Sequence, residues 1–172
     1  MAIFYQKFNT HYKIFNKHFL KSKVNVDGVA SGYMNDHSLF LEHVHRVASY
    51  VRTKKGMIPI IWDDMLRKIQ SEKLVESGIG HLVEPMVWVY VEDIDRFIYS
   101  FTWSTYGEVF EHIWTASAYK GAFGEQLYVV NVARHVYNNL AWLDIMKRET
   151  MGPDKVTFNS VYLTFLALYC PA

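Results

Sequence analysis

Residues able to do chemistry gather at three places in this chain. Trp62, Asp63 and Asp64 follow at once on the apolar run Met57-Ile58-Pro59-Ile60-Ile61. Glu84 lies inside a second apolar run, from Leu82 to Tyr90, that ends in Trp88-Val89-Tyr90. Trp114 belongs to a third run, and Lys120 leads from it into the Gly-rich stretch Gly121-Ala122-Phe123-Gly124. Carboxylates accept paired hydrogen bonds from vicinal hydroxyls, and aromatic rings offer flat apolar faces on which the C–H side of a sugar packs. Two carboxylates about 5 to 9.5 Å apart across a cleft also make an acid–base pair, so Asp63 or Asp64 with Glu84 is a conceivable hydrolytic set. Each residue has a plainer role as well. Trp62 and Trp114 can plug a core, Asp63 or Asp64 can cap a following helix, a buried Glu84 needs a partner, and the Gly-rich stretch can be a simple turn.

Other chemistries find little support. The chain has eight histidines, but His43 and His45 are two apart on an expected helix and face different ways. His37, His81, His112 and His135 show no ligand spacing, so no metal is expected. No phosphate-cradling glycine pattern occurs, so no nucleotide and no cofactor is expected either.

The elements around these residues follow from hydrophobic spacing. Residues 24–35 have loop character. From Asp36, apolar residues recur at helical spacing through Val51, and Lys54, Lys55 and Gly56 supply the charge and small residue of a helix end. Met57–Leu66 then reads as a short strand covered on both faces, with Pro59 removing one ladder donor. A helix is expected from Met65 to about Glu76, ended by Ser77-Gly78, and a strand from Leu82 to Tyr90. A helix should open at Glu92-Asp93, use Ile94, Phe97, Ile98, Phe101 and Trp103, and end at Gly107. A third strand spans His112–Tyr119. A long helix from Val129 to Met146 should bury Val132, Val136, Leu140 and Leu143. Gly152-Pro153 breaks it, and an apolar segment from Val156 is expected to form a fourth strand. Strand then helix, repeated three or four times, is the pattern of an α/β fold with a parallel sheet. Ligands of such folds sit at the carboxyl ends of the strands, where Trp62, Trp88 and Trp114 are expected. Trp88 and Tyr90, two apart, should share one strand face.

Totals narrow the function classes. With 172 residues, one domain is the prior; 51% hydrophobic and 20% charged residues describe a globular chain. A net charge of +1 implies neither nucleic acid nor an anionic membrane surface. The single cysteine, Cys170, forms no internal disulfide. No apolar run reaches the roughly 18 residues of a membrane span. Residues 1–23 interleave five lysines with phenylalanine and tyrosine without an acid, which fits an organelle presequence or a secretory signal poorly. The expected division is a basic aromatic leader over 1–35 and a catalytic-type α/β domain over 36–172.

Three stretches together resemble a known family: Ile61-Trp62-Asp63-Asp64-Met65-Leu66, Val83-Glu84-Pro85-Met86-Val87-Trp88-Val89-Tyr90, and Trp114 through Gly124. They are similar to consecutive motifs of the hexosaminidase D branch of glycoside hydrolase family 20, the β-N-acetylhexosaminidases. The resemblance covers roughly residues 38–147. It implies a (β/α)₈ barrel that releases terminal N-acetylhexosamine with retention, the substrate's own acetamido carbonyl replacing a protein nucleophile. It makes Trp62, Asp63, Asp64, Trp88, Tyr90, Trp114 and Lys120 substrate-binding residues, and an N-acetylhexosamine-terminated glycan the partner. The expected setting is cytoplasmic or nucleocytoplasmic, with which the single cysteine is compatible, and self-association stays open.

The family's catalytic pair is an adjacent Asp-Glu, one orienting the acetamido group and the other protonating the leaving oxygen. No Asp-Glu dipeptide occurs in this sequence. Val89 stands where the family has an acid, and residues 156–172 lack the family's Gly-Trp and Tyr-Asp pairs. A closed barrel takes about 250 residues, so the expectation is a partial barrel of about four β/α units, truncated at both ends and inactive alone. The alternative is a non-catalytic sugar-binding module that keeps the aromatic walls.

Overall fold

The computed structural model describes residues 12–15, 36–120 and 129–165. It divides into two compact units, Met1–Pro85 and Met86–Ala172. Both are α/β, and within each the strands pair in parallel.

In the first unit, strand β1 (Tyr12–Phe15) runs parallel to β2 (Ile58–Trp62), with Ile14 beside Ile60. The expected leader therefore supplies a strand for which the hydrophobic pattern gave no separate signal. The rest of residues 1–35 lies outside the described residues. Helix α1 (Asp36–Lys55) matches its expected span. Arg52, Lys54 and Lys55 occupy its last turn, and the Gly56 N–H bonds the Arg52 carbonyl at 3.0 Å with φ of 61°. That left-handed closure is where glycine costs least. Pro59, Ile60 and Ile61 are all buried, as a strand covered on both faces requires. The helix expected over 65–76 is instead a 3₁₀ turn (Leu66–Lys68) followed by α2 (Ser71–Glu76). Leu66, Ile69 and Leu74 still point inward.

The second unit is built on β3 (Glu84–Trp88), whose first two residues fall on the other side of the division, β4 (Ile113–Lys120) and β5 (Phe158–Phe165). The last is the strand expected after Val156. Helices α3 (Ser100–Val109) and α4 (Val132–Met151) complete it. Three expectations need correction here. Residues 92–99 form turns, not the start of a helix. The Phe97 and Ile98 amides both bond Ile94 O at 2.9 Å, and Ile94 and Ile98 are buried while Phe97 and Phe101 are exposed. Of the two carboxylates expected to start that helix, Glu92 and Asp93, Glu92 pairs with Arg134 of α4, and in the same segment Asp95 pairs with Arg148.

Gly107 does not end α3; the helix runs through it. A Cβ there would meet the Asp154 carbonyl at 3.1 Å, so the glycine serves a close backbone approach.

The largest correction concerns α4. Val132, Val136, Leu140 and Leu143, expected inward, are exposed, and the buried residues are His135, Asn138, Trp142 and Ile145. Both sets have helical spacing, so periodicity alone does not choose between them. The sheet chooses. Thr115 and Ser117 of β4 face the helix, and Ser117 Oγ bonds Asn139 Oδ1 at 2.7 Å. His135 Nδ1 meets Ala118 O at 2.8 Å. A strand face carrying hydroxyls calls for polar partners on the covering helix. Leu140→Glu and Leu143→Glu should therefore change unfolding free energy by no more than about 0.5 kcal/mol, against about 2–5 kcal/mol for disrupting a core leucine. Urea denaturation of the two variants distinguishes these outcomes.

Candidate functional site

The residues of the first unit come as one consecutive group. Trp62 closes β2 at its carboxyl end and is half-buried. Asp63 follows, fully buried, with both carboxylate oxygens gripped by Arg67: Nε reaches Oδ2 at 2.7 Å and the second guanidinium nitrogen bonds Oδ1. The Arg67 amide also bonds the Asp63 carbonyl at 3.0 Å. A forked guanidinium on a buried carboxylate fixes the turn after β2. Asp64 is half-buried and makes no ion pair or hydrogen bond among the described residues. Of the two adjacent acids, one is thus structural in its bonding and the other is available to a ligand. Arg67 was not singled out from the sequence, although its i+4 spacing from Asp63 was a usable signal.

In the second unit, Trp88 closes β3 and Tyr90 lies two residues beyond, both half-buried. Their rings meet at 5.2 Å between centroids, tilted by 32°, and so form one continuous aromatic surface. Register places Trp88 beside Ala116 and Met86 beside Trp114. Trp88, Trp114 and Ala116 therefore share a face. It is opposite to the face of Thr115 and Ser117, which α4 covers. Ala116 puts only a methyl next to the Trp88 indole.

Trp114 departs from expectation along the strand. It is the second residue of β4, near the amino end, and it does not stand at the carboxyl end with Trp88. The run of polar and small residues after it, Thr115-Ala116-Ser117-Ala118, continues the strand because it is covered by α4 on one side. The carboxyl end of β4 is reached only at Lys120, whose backbone pairs with Phe165. The Gly-rich stretch 121–124 lies outside the described residues.

Glu84 is buried as expected, but it is the first residue of β3, whereas Asp63 and Asp64 follow the carboxyl end of β2. With Asp63 committed to Arg67, that acid–base set has no geometric support. No group of three or more metal-ligating side chains occurs among the described residues, and none of their helices is long and apolar enough to cross a membrane.

Two open concavities lie elsewhere. One of about 530 Å³ runs between α1 and α2 past His37, Glu42, His45, Arg46, Lys73 and Glu76. The other, about 320 Å³, lies along α4 beside Tyr119 and Leu140. Neither is lined by the residues that the sequence nominated.

Behind the Trp88–Tyr90 pair, α4 holds the chain in place. Asn138 and Trp142, both fully buried, donate to the carbonyls of Val89 and Val91. At the rim, Arg148 chelates Asp95 at 3.0 and 2.7 Å, and Arg134 meets Glu92 at 3.2 Å. Hydrogen bonding from Arg148 holds the Asp95 carboxyl below its ordinary pKa. A depressed folded pKa gives stability that is present above the ordinary carboxylate value and is lost as pH falls through the lowered one. The pair is exposed, so Asp95→Asn should cost less than about 1 kcal/mol near neutral pH. The cost should vanish in acid and shrink in high salt, as read from urea midpoints across pH.

Comparison with curated proteins shows what the chain carrying these groups is similar to. Over 109 residues, 62% of its length, it is 38% identical to hexosaminidase D of Homo sapiens. Over that stretch the chain resembles hexosaminidase D. It is also 37% identical over 109 residues to hexosaminidase D of Bos taurus. The similarity is partial: it spans 22% of the human hexosaminidase D and 32% of the bovine one. No family model matches the chain. A glycosidase resemblance thus rests on the hexosaminidase D relatives, and the family resemblance read from the three motifs is borne out at that level.

Proposed function

We propose that this chain carries the N-acetylhexosamine-binding wall of a hexosaminidase D-like glycosidase, on part of a (β/α)₈ barrel. The observation that carries this reading is the Trp88–Tyr90 ring pair at 5.2 Å just beyond the carboxyl end of a parallel strand. In parallel α/β folds that end handles ligands. Paired, half-buried rings suit the apolar face of a sugar and the methyl of its acetamido group. In the first unit, Trp62 and Asp64, at and just past the carboxyl end of β2, offer a ring and a carboxylate able to accept two hydroxyl hydrogen bonds. Trp114 extends the aromatic face of β3 and β4, and Lys120 is the last residue of β4.

In substrate-assisted hydrolysis the acetamido carbonyl attacks the anomeric carbon while an acid protonates the leaving oxygen. The sequence contains no Asp-Glu dipeptide in that order, so within this chain the proposal covers binding and orientation of the sugar, and proton transfer is assigned to none of its residues. Titration of the protein with N-acetylglucosamine should quench tryptophan emission saturably, with glucose far weaker because it lacks the acetamido group. A chromogenic N-acetyl-β-glucosaminide should stay uncleaved. Equal responses to the two sugars, or none to either, would sink the binding proposal; rapid cleavage would overturn the assignment of proton transfer.

A further inference from the structure

We propose that Asn138 is a positioning residue for the sugar-binding wall: by holding the carbonyls of Val89 and Val91, the residues on either side of Tyr90, it sets that ring against Trp88. The inference rests on the function proposed above for what the wall does, but its geometric content stands apart from it. β3 ends at Trp88, so beyond it the strand ladder no longer fixes the backbone. Asn138 Nδ2 donates to Val89 O at 3.0 Å and to Val91 O at 2.5 Å. Trp142, one turn further along α4, adds Nε1 to Val89 O at 3.0 Å. Three bonds thus restrain the two carbonyls that bracket Tyr90, whose ring lies 5.2 Å from that of Trp88.

A stability role alone explains Asn138 poorly. It is wholly buried in the middle of a helix, where asparagine is a weaker helix former than leucine and where burying an amide is costly. Its Oδ1 accepts no hydrogen bond among the described residues, so half of the amide remains desolvated and unsatisfied. Leucine, of similar size, would avoid that cost. What leucine lacks is the pair of donors, and both of them are used on the Tyr90 turn. The polar atom therefore serves the conformation of residues 89–91.

The experiment reads ring placement without ligand and binding with it. In NMR spectra of the folded protein, Tyr90 ring protons feel the ring current of Trp88, and Trp88→Ala gives the value with that contact absent. Asn138→Leu should move the Tyr90 shifts most of the way to that value while the fold persists. It should also weaken N-acetylglucosamine binding about tenfold to a hundredfold, the scale of a displacement near 1 Å. Asn138→Asp, which sets carboxylate oxygens against the same two carbonyls, should do at least as much. Should the Asn138 variants not fold, Trp142→Phe removes one of the three donors and should shift Tyr90 in the same direction by less. Unchanged Tyr90 shifts in a folded Asn138→Leu, or in Trp142→Phe if that variant alone folds, would overturn the inference. Absence of sugar binding by the unaltered protein would instead remove the function proposed for the wall, and the ring shifts would still decide what Asn138 does.

Discussion

Trp103→Ala is expected to destabilise the second unit by about 3–5 kcal/mol, the range for emptying a buried tryptophan site. Trp103 of α3 is fully buried. Its ring stands edge-on to Trp142 of α4 at 6.4 Å and to Phe158 of β5 at 5.7 Å. One side chain thus links three elements, and such edge-to-face pairs add about 0.5–1.5 kcal/mol each beyond area. A sharper expectation comes from the conservative change. The Trp103 indole N–H finds no acceptor among the described residues, whereas that of Trp142 bonds Val89 O at 3.0 Å. Trp103→Phe loses volume but releases an unsatisfied donor, while Trp142→Phe loses volume and a made bond, leaving a buried carbonyl with one donor fewer. Trp142→Phe should be the more damaging by about 1 kcal/mol or more. Chemical denaturation of the two variants tests the order, and equal losses would show that packing alone decides at both positions.

Arg67→Met is the second large expected loss. It leaves the fully buried Asp63 carboxylate without the fork that holds both its oxygens. Removing one member of a buried pair costs about 3–5 kcal/mol because the remaining charge stays desolvated. Asp63→Asn should cost less, since Arg67 is partly exposed and retains water. Arg67→Met with Asp63→Asn together should recover part of the loss, because the uncompensated charge is gone. A double-mutant cycle in urea reads this coupling. Additive effects would show that the fork contributes little. Neither substitution touches Asp64, so sugar binding by variants that stay folded should survive both.

Much of this was legible in residue order. The unalternating run Pro59-Ile60-Ile61 announced a strand buried on both faces, and Lys54-Lys55-Gly56 announced the end of α1. Both are where they were expected because each depends on contacts local in sequence. The failures came where tertiary contacts chose between local options. Two stripes of α4 have the same period, and only the hydroxyls of Thr115 and Ser117 beneath it select His135, Asn138 and Trp142. Gly107 looked like a terminator because the chain at Asp154 that needs its space is distant in sequence. Trp114 looked like a companion of the strand-end tryptophans Trp62 and Trp88, although the strand expected over His112–Tyr119 already ran on past it, and β4 places it second from the amino end. Among the candidate residues, Trp62 and Trp88 lie at strand ends as the motif order suggested, with Tyr90 two residues beyond. Arg67 was readable only from its i+4 spacing to Asp63, and Asn138 was invisible until its partners at Val89 and Val91 were in place.

The sorting of the tryptophans has a spectroscopic consequence. The chain has five: Trp103 and Trp142 are fully buried, and Trp62, Trp88 and Trp114 are partly exposed. The two interior indoles should emit at shorter wavelength and resist acrylamide, giving a steady signal that changes only on unfolding. The three outer ones should emit further to the red, and Trp88 and Trp114 should respond to whatever occupies the aromatic face. The protein therefore carries its own internal reference: a ligand at that face should alter the red edge alone, and a blue edge that moves with it would report loss of the fold.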